Sequence, residues 1–416
     1  MNQTIRKRIE DINNGIVPEG YKQTPFGIFP CDWEATSIGE VSINKGEYGL
    51  NAPACEYEVG LPKYIRITDI DDNGNYVDTG ACVNFQDETT QYTLKDRDIV
   101  FARTGATVGR NYLYKEKDGE LLYAGFLIKF SIDKKVAHPY IVYANCNTKQ
   151  YWDWIKKISA RSGQPGVNAE EYSQYRFVKA KEKIEQEKIA EILMKWDEMV
   201  ELQEQYIQKL ELRKKAVIQQ TLMSNKEWVE IPLTKIIKER KTYAVLDSEY
   251  PHVTLGKGGV VDKTEQYERD FLVKSEDKEY KITYPKDIVY NPANLKFGVI
   301  CVNEYPTPAI FSPIYVTFEV NDKYNVDFVG AVLCSENFVR YIRKYEEGSL
   351  YERQAVKPED FLKGKILVPE RKVQDNIANI IHLANEEISL QKEKLAKIKE
   401  QRKAMQQYLL TGVVRV

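Results

Sequence analysis

Two stretches of about forty residues, 188 positions apart, spell one long helix twice, and this duplication constrains the fold more than any other feature of the chain. The first runs from about Lys181 to Met223 without Gly or Pro. Its apolar residues recur at steps of three and four, at Ile184, Ile189, Ile192, Trp196, Met199, Ile207, Leu210, Val217 and Leu222. The second runs from about Glu370 to Leu410, with the stripe Val373, Ile377, Ile380, Ala384, Ile388, Leu395, Ile398, Met405 and Leu409. Pro369 precedes it, and Gly412 stands where a helix stop is expected. Overlaid at 188 from Glu182/Glu370 to Leu222/Leu410, the stretches need no gap and share 13 identities in 41 pairs. Chance supplies roughly three or four, so the repeat is an internal duplication. Each helix should be about 60 Å long at ~1.5 Å per residue. Matching apolar stripes should pair them as a coiled coil, parallel or antiparallel. The residues expected to pair the helices, or to hold a partner chain, are Ile189, Ile192, Trp196, Ile207, Leu210, Ile377, Ile380, Ile388, Leu395 and Ile398.

The duplication reaches upstream of the helices. Lys95-Asp96-Arg97-Asp98-Ile99-Val100-Phe101 matches Tyr284-Pro285-Lys286-Asp287-Ile288-Val289-Tyr290 at a spacing of 189, and Val167/Val356 and Tyr172/Phe361 fall at the same spacing. The chain therefore reads as globular unit, helix, globular unit, helix. The expected divisions are an N-terminal segment 1–19, a unit 20–180, a helix 181–224, a unit 225–369, and a helix with tail 370–416. Strand-like runs at Lys63–Ile67, Asp98–Ala102, Gly125–Ile132, Asp287–Tyr290, Val299–Val302 and Ile314–Val320 make both units mixed α/β and the fold class α+β. Short helices are expected at His138–Ile158 and Asp327–Tyr345. Outside the helices the two units differ greatly in sequence, as one scaffold presenting two binding surfaces would.

Composition narrows the functional classes. Hydrophobic residues are 43 % and charged residues 29 %, enough to bury cores and too apolar for global disorder. No apolar run approaches the ~18–20 residues of a membrane span, and no apolar stretch follows the basic residues of the first twenty, so a cytoplasmic protein without membrane contact is expected. The six cysteines form no CxxC pair and the three histidines are scattered, which argues against a zinc cluster and for reduced, mostly buried thiols. Lys+Arg and Asp+Glu nearly cancel, for a formal charge of −2. A chain that coats nucleic acid would be basic, so any DNA contact must come from local basic faces. Catalytic signatures are missing. Asn291-Pro292-Ala293-Asn294 lacks the second proline and the aromatic ring of an amino-methyltransferase motif. Arg103–Arg110 lacks phosphate-loop spacing, and Gly256-Lys257-Gly258-Gly259 falls short of a dinucleotide fingerprint.

Binding elements are more visible. The segment Arg103-Thr104-Gly105-Ala106-Thr107-Val108-Gly109-Arg110 follows a strand and carries two arginines and hydroxyls on a backbone loosened by glycine. Arginine forks onto guanine or phosphate, and glycine lets the backbone come close. The site candidates there are Arg103, Thr104, Gly105, Thr107 and Arg110, set against an ordinary surface turn. The corresponding place in the second unit holds Asn291, Asn294 and Lys296, of types that read adenine, guanine or phosphate. Arg161 and Gln164, and likewise Arg353 and Gln354, precede the long helices, where DNA contact and turn chemistry fit equally. The basic cluster Arg213-Lys214-Lys215 and its counterpart Arg402-Lys403 suit solvated faces that complement a helix dipole, with a partner or phosphate contact as the alternative.

The order of these parts resembles the DNA-specificity subunit of type I restriction–modification systems, over essentially the whole chain. Tyr21-Lys22-Gln23-Thr24-Pro25-Phe26-Gly27-Ile28-Phe29-Pro30-Cys31-Asp32-Trp33-Glu34 is similar to that family's opening into its first recognition domain. Asp98–Gly109 and Asp287–Pro292, with Ser312-Pro313-Ile314-Tyr315 later, resemble its recognition-domain motifs, and Glu185-Gln186 before Ile189-Ala190 resembles its helix-start signature. Val373 departs from that signature, standing where the family often has Glu. The resemblance implies two target-recognition domains, each reading half of a bipartite, asymmetric DNA site about one helical turn, or on the order of 34 Å, from the other. The paired helices would set the gap between them. It also implies a noncatalytic chain with no cofactor of its own, two methyltransferase subunits carrying S-adenosylmethionine, and optionally two nuclease subunits using ATP and Mg. The rival readings are a self-contained DNA-modifying enzyme and a coiled-coil scaffold unrelated to DNA.

Overall fold

The computed structural model describes residues 3–84, 90–160, 165–223, 227–244, 249–256, 259–263, 279–346 and 354–416. Both long helices form, over Lys183–Met223 and Arg371–Leu410. Two compact units emerge, and each takes part of both helices: Met1–Leu202 with Leu395–Val416, and Gln203–Lys394. Helices paired antiparallel produce this interleaving, because the start of one lies beside the end of the other.

In the first unit, strand Trp33–Ser37 pairs antiparallel with Arg176–Ala180, which zips the beginning of the globular region to its end. Between them a four-stranded antiparallel sheet runs in the order Glu47–Tyr48, Leu127–Ser131, Asp98–Ala102, Asn111–Leu113. Asp98–Ala102 is wholly buried, as its run of Ile99, Val100, Phe101 and Ala102 demands. Lys63–Ile65 and Leu121–Tyr123 add a parallel pair.

The second unit repeats the plan. Val229–Pro232 pairs with Lys365–Val368, and a four-stranded sheet runs Ile237–Glu239, Val316–Val320, Ile288–Tyr290, Ile300–Val302. Leu127 and Val316, like Asn111 and Ile300, open corresponding strands and stand 189 apart (316 − 127; 300 − 111). The spacing seen in a few residues therefore holds for the whole sheet, although the side chains on it diverge. What differs is the segment packed on the sheet. The second unit has a three-stranded sheet of Tyr243–Ala244, Tyr280–Thr283 and Ala309–Phe311, and a hairpin Val253–Gly256/Gly259–Asp262.

The short helices expected over His138–Ile158 are Pro139–Asn145 and Lys149–Ser159, and the Thr148 hydroxyl accepts the Tyr151 N–H to start the second. Those expected over Asp327–Tyr345 are Val326–Leu333, Glu336–Ile342 and a 3₁₀ turn Arg343–Tyr345, with Ser335 capping the second. Other expectations need correction. Among the pairing residues, Ile189, Ile207, Leu210, Ile377, Ile388 and Ile398 are buried, and Ile192, Trp196 and Leu395 are half-buried. Ile380 is exposed, since its neighbour Ile381 takes the packed position against the second unit's core. Arg402 is no solvated helix-end cation: its Nε donates to Asp197 Oδ1 at 2.8 Å. The six thiols are free, but only Cys82 and Cys146 are buried residues, while Cys31 and Cys334 lie at the surface. Even so, the Cys334 thiol turns in toward the Ile300 carbonyl, and burial pushes it up to about 12.

Candidate nucleic-acid interface

The Arg103–Arg110 segment leaves the end of the central strand and is tied down at its base by buried tyrosines. Tyr172 donates its hydroxyl to Ala102 O at 2.7 Å and accepts the Gly109 N–H at 3.1 Å, while Tyr151 donates to Gly109 O at 2.8 Å. Burial raises the pKa of both phenols, which holds them as neutral donors. Gly109 has φ +90°, and a Cβ there would lie about 2.9 Å from Ile155, so glycine is required for both reasons. On the outer side Gly105, at φ +75°, donates its N–H to Pro165 O, and Val167 N–H donates to Arg103 O at 2.9 Å. The loop and the chain following residue 164 thus share one edge. The Arg103 guanidinium rests 4.8 Å from the centre of the Tyr48 ring, a cation–π contact that holds the fork extended.

Not every residue singled out in this loop faces outward. Arg110 spends its guanidinium inside the unit, donating to Ile70 O at 2.9 Å and pairing with Asp72. The Thr107 hydroxyl is buried, with no hydrogen-bond partner among the described residues. Arg103, Thr104 and Gly105 remain together at the rim. Tyr48, which sequence reasoning missed, joins them from the far edge of the sheet. Arg161 and Gln164 lie outside the described residues.

The second unit repeats the backbone device with different side chains. Val356 N–H donates to Pro292 O at 3.2 Å, the counterpart of Val167 on Arg103 at the same spacing of 189 (356 − 167; 292 − 103). Below it, Tyr290 donates to Val356 O and stacks on Phe361 with centroids 4.7 Å apart. Asn291 is buried, and its Oδ1 accepts the Ala293 N–H, so it shapes the turn. Asn294 carries the turn into a short 3₁₀ segment, Leu295–Phe297, and Gly298 closes it in the left-handed region. Lys296 is exposed, its ammonium 5.3 Å from the centre of the Phe297 ring. Gln354 is exposed as well, and Arg353 lies outside the described residues. The described residues contain no cluster able to hold a metal ion, and none of their helices is long and apolar enough to cross a membrane.

Two loop rims with one backbone plan and unlike side chains thus stand on a duplicated scaffold. Known proteins carry this further. Residues 30–212 match the type I restriction modification DNA specificity domain. The chain is 22 % identical, over 96 % of its length and 97 % of the relative's, to a protein of Methanocaldococcus jannaschii described as a type I restriction enzyme MjaX specificity subunit. Its fold is that of the type I restriction–modification S subunit from M. genitalium (TM-score 0.51, 15 % identity, 91 % of this chain and 96 % of that one). A second solved chain, from work on complex assembly and conformational transition of the type I R-M system, has the same fold (TM-score 0.54, 13 % identity, 93 % and 99 %). Over nearly its whole length, then, the chain is similar to specificity subunits of type I restriction–modification systems, with the DNA specificity domain of that class matched in its first half.

Proposed function

We propose that each globular unit reads one half of a bipartite, asymmetric site, and that the paired helices set the unread gap and dock two methyltransferase subunits. The observation that carries this is the repeated loop anchor, Val167 on Arg103 and Val356 on Pro292, beneath unlike side chains. One backbone frame holds Arg103, Thr104 and Gly105 in one unit and Lys296 in the other, so the two half-sites should differ in sequence. In this reading Arg110 positions the loop through Ile70 and Asp72 and does not touch DNA.

Partner docking is supported by the outer faces of the helices. Leu202 and Leu390 occupy the same place in the duplication (390 − 202 = 188), and both are exposed, at 57 % and 63 %. Leu212, Ile380 and Leu383 extend the apolar exposure. Leucine repeated on a solvent face marks a surface that another chain covers. The chain is noncatalytic in this reading and acts in the cytoplasm. S-adenosylmethionine sits on the methyltransferase subunits, ATP and Mg on nuclease subunits where those are present, and the partners supply much of the phosphate affinity that a nearly neutral chain lacks.

The test is an adenine-methylation map of cells holding this chain and its methyltransferase, beside cells lacking only this chain. A two-part motif present only with the chain is the expected result; identical maps would refute the reading.

A further inference from the structure

The turn between Leu121–Tyr123 and Leu127–Ser131 in the first unit carries a feature that loop chemistry does not explain. Phe126 is 59 % exposed and belongs to none of the apolar clusters among the described residues. Single exposed apolar residues are common, but this one is held out by its backbone. Gly125 N–H donates to Leu50 O at 2.8 Å, Leu127 N–H to Ala124 O at 2.8 Å, and Gly49 N–H to Leu127 O at 3.1 Å. The neighbouring strand presses so close that a Cβ on Gly49 would lie 2.3 Å from Ala124 O. A turn clamped this way cannot fold its ring back onto the core.

The position of the ring is equally specific. Strand pairing runs from Asp98↔Ser131 to Ala102↔Leu127, and the next pair in register is Arg103 with Phe126, whose carbonyl accepts the Arg103 N–H at 3.1 Å. Residues directly opposite on antiparallel strands put their side chains on the same face. The exposed ring and the DNA-reading candidate Arg103 therefore leave the sheet side by side, with Tyr48 under the guanidinium. The second unit departs here: Tyr315, 189 positions after Phe126 (315 − 126), is buried, and its neighbour Ile314 is the exposed residue ahead of strand Val316–Val320.

We infer that Phe126 is a specificity-determining residue of the first unit, its ring contacting the 5-methyl group of a thymine beside the base or phosphate that Arg103 engages. This rests on the reading of the first unit as a half-site reader. A rigid apolar ring next to an arginine fork suits the major groove, where the thymine methyl is the apolar feature of the base edges.

The experiment uses the chain in complex with its methyltransferase subunits and a duplex bearing the site mapped for the wild type. Each thymine is replaced in turn by deoxyuridine, which lacks the methyl group. One replacement, in the half-site that Arg103→Ala relaxes, should weaken binding about fourfold, the worth of one buried methyl-sized group. Phe126→Ala should abolish that sensitivity and admit cytosine at the position, while Phe126→Leu keeps it. The exposed ring leaves folding intact, and an unchanged melting temperature verifies this. Equal sensitivity in wild type and Phe126→Ala, or a half-site without thymine, overturns the inference. Weaker binding by Phe126→Ala without any uracil effect also overturns it, pointing to a wedge between bases. A wild-type complex with no sequence preference at all would instead refute the half-site reading itself.

Discussion

The two units meet the long helices with the same backbone and opposite degrees of closure. In the first, Asp197 takes the Arg402 guanidinium at 2.8 Å and the Tyr140 hydroxyl, Gln406 Nε2 donates to Ala144 O at 2.8 Å, and Leu409 and Leu410 are buried. The positions 188 earlier or later in the second unit hold Asn385 for Asp197, Lys214 for Arg402 and Ile218 for Gln406. These line an open groove of about 1410 Å³. Burial lowers the pKa of Lys214, and the nearby Glu211 carboxylate offsets this only in part. Duplication preserved the frame, and the polar filling of that frame evolved separately in each copy.

The helix starts tell the same story. Glu185 accepts from Trp33 Nε1 at 3.3 Å and pairs with Arg415, which also holds Asp32. Its duplicate Val373 instead packs with Trp228 against the second core. Glutamate is useful where the tail of the chain returns an arginine. At the other helix start the apolar residue joins the core.

The largest expected effect tests this difference in closure. Leu410→Ala should cost about 2–5 kcal/mol in denaturant unfolding, the range for a buried leucine. Leu222→Ala, its duplicate on the groove, should cost about 1 kcal/mol or less; equal costs would mean that the groove is filled in solution. A smaller effect comes from exchanging the polar pair. Asp197→Asn, which copies the second unit, should cost about 1–2 kcal/mol, below the ~3–5 of a fully buried pair, because Asp197 is 37 % exposed. Asn385→Asp should stabilise by up to about 1 kcal/mol through Lys214, as read from the unfolding midpoint. The smallest is acid sensitivity. The Arg415 hydrogen bond lowers the pKa of Asp32, so its stabilisation is present above the ordinary carboxylate range and fades as pH falls through the lowered value. In Asp32→Asn the stability–pH curve should be flatter over that acidic window, by less than about 1 kcal/mol for so exposed a pair.

Much of this was legible in the residues. Helical periodicity needs only local information, and both long helices begin within two residues of where the apolar stripes place them. The Arg103–Gly105 rim was legible too, because glycine beside arginine after a buried strand is local chemistry. The pairing of Trp33–Ser37 with Arg176–Ala180 was not, since strands some 140 residues apart leave no local trace. At Ile380-Ile381 a step of three or four admits either residue, and only packing chooses. The inward turn of Arg110 depends on Ile70 and Asp72, which no spacing rule links to it. The boundaries between the short helices are marked by the caps Thr148 and Ser335.

Paired methylation maps test the division of labour between the units most directly: one from cells carrying Arg103→Ala, one from cells carrying Lys296→Ala, each beside the wild type. Arg103→Ala should relax one position of one half-site, a loss of about 1–3 kcal/mol of discrimination, and leave the other half-site and the gap unchanged. Lys296→Ala should act only on the other half-site. Changes in the same half-site from both substitutions would contradict the assignment of one half-site to each unit.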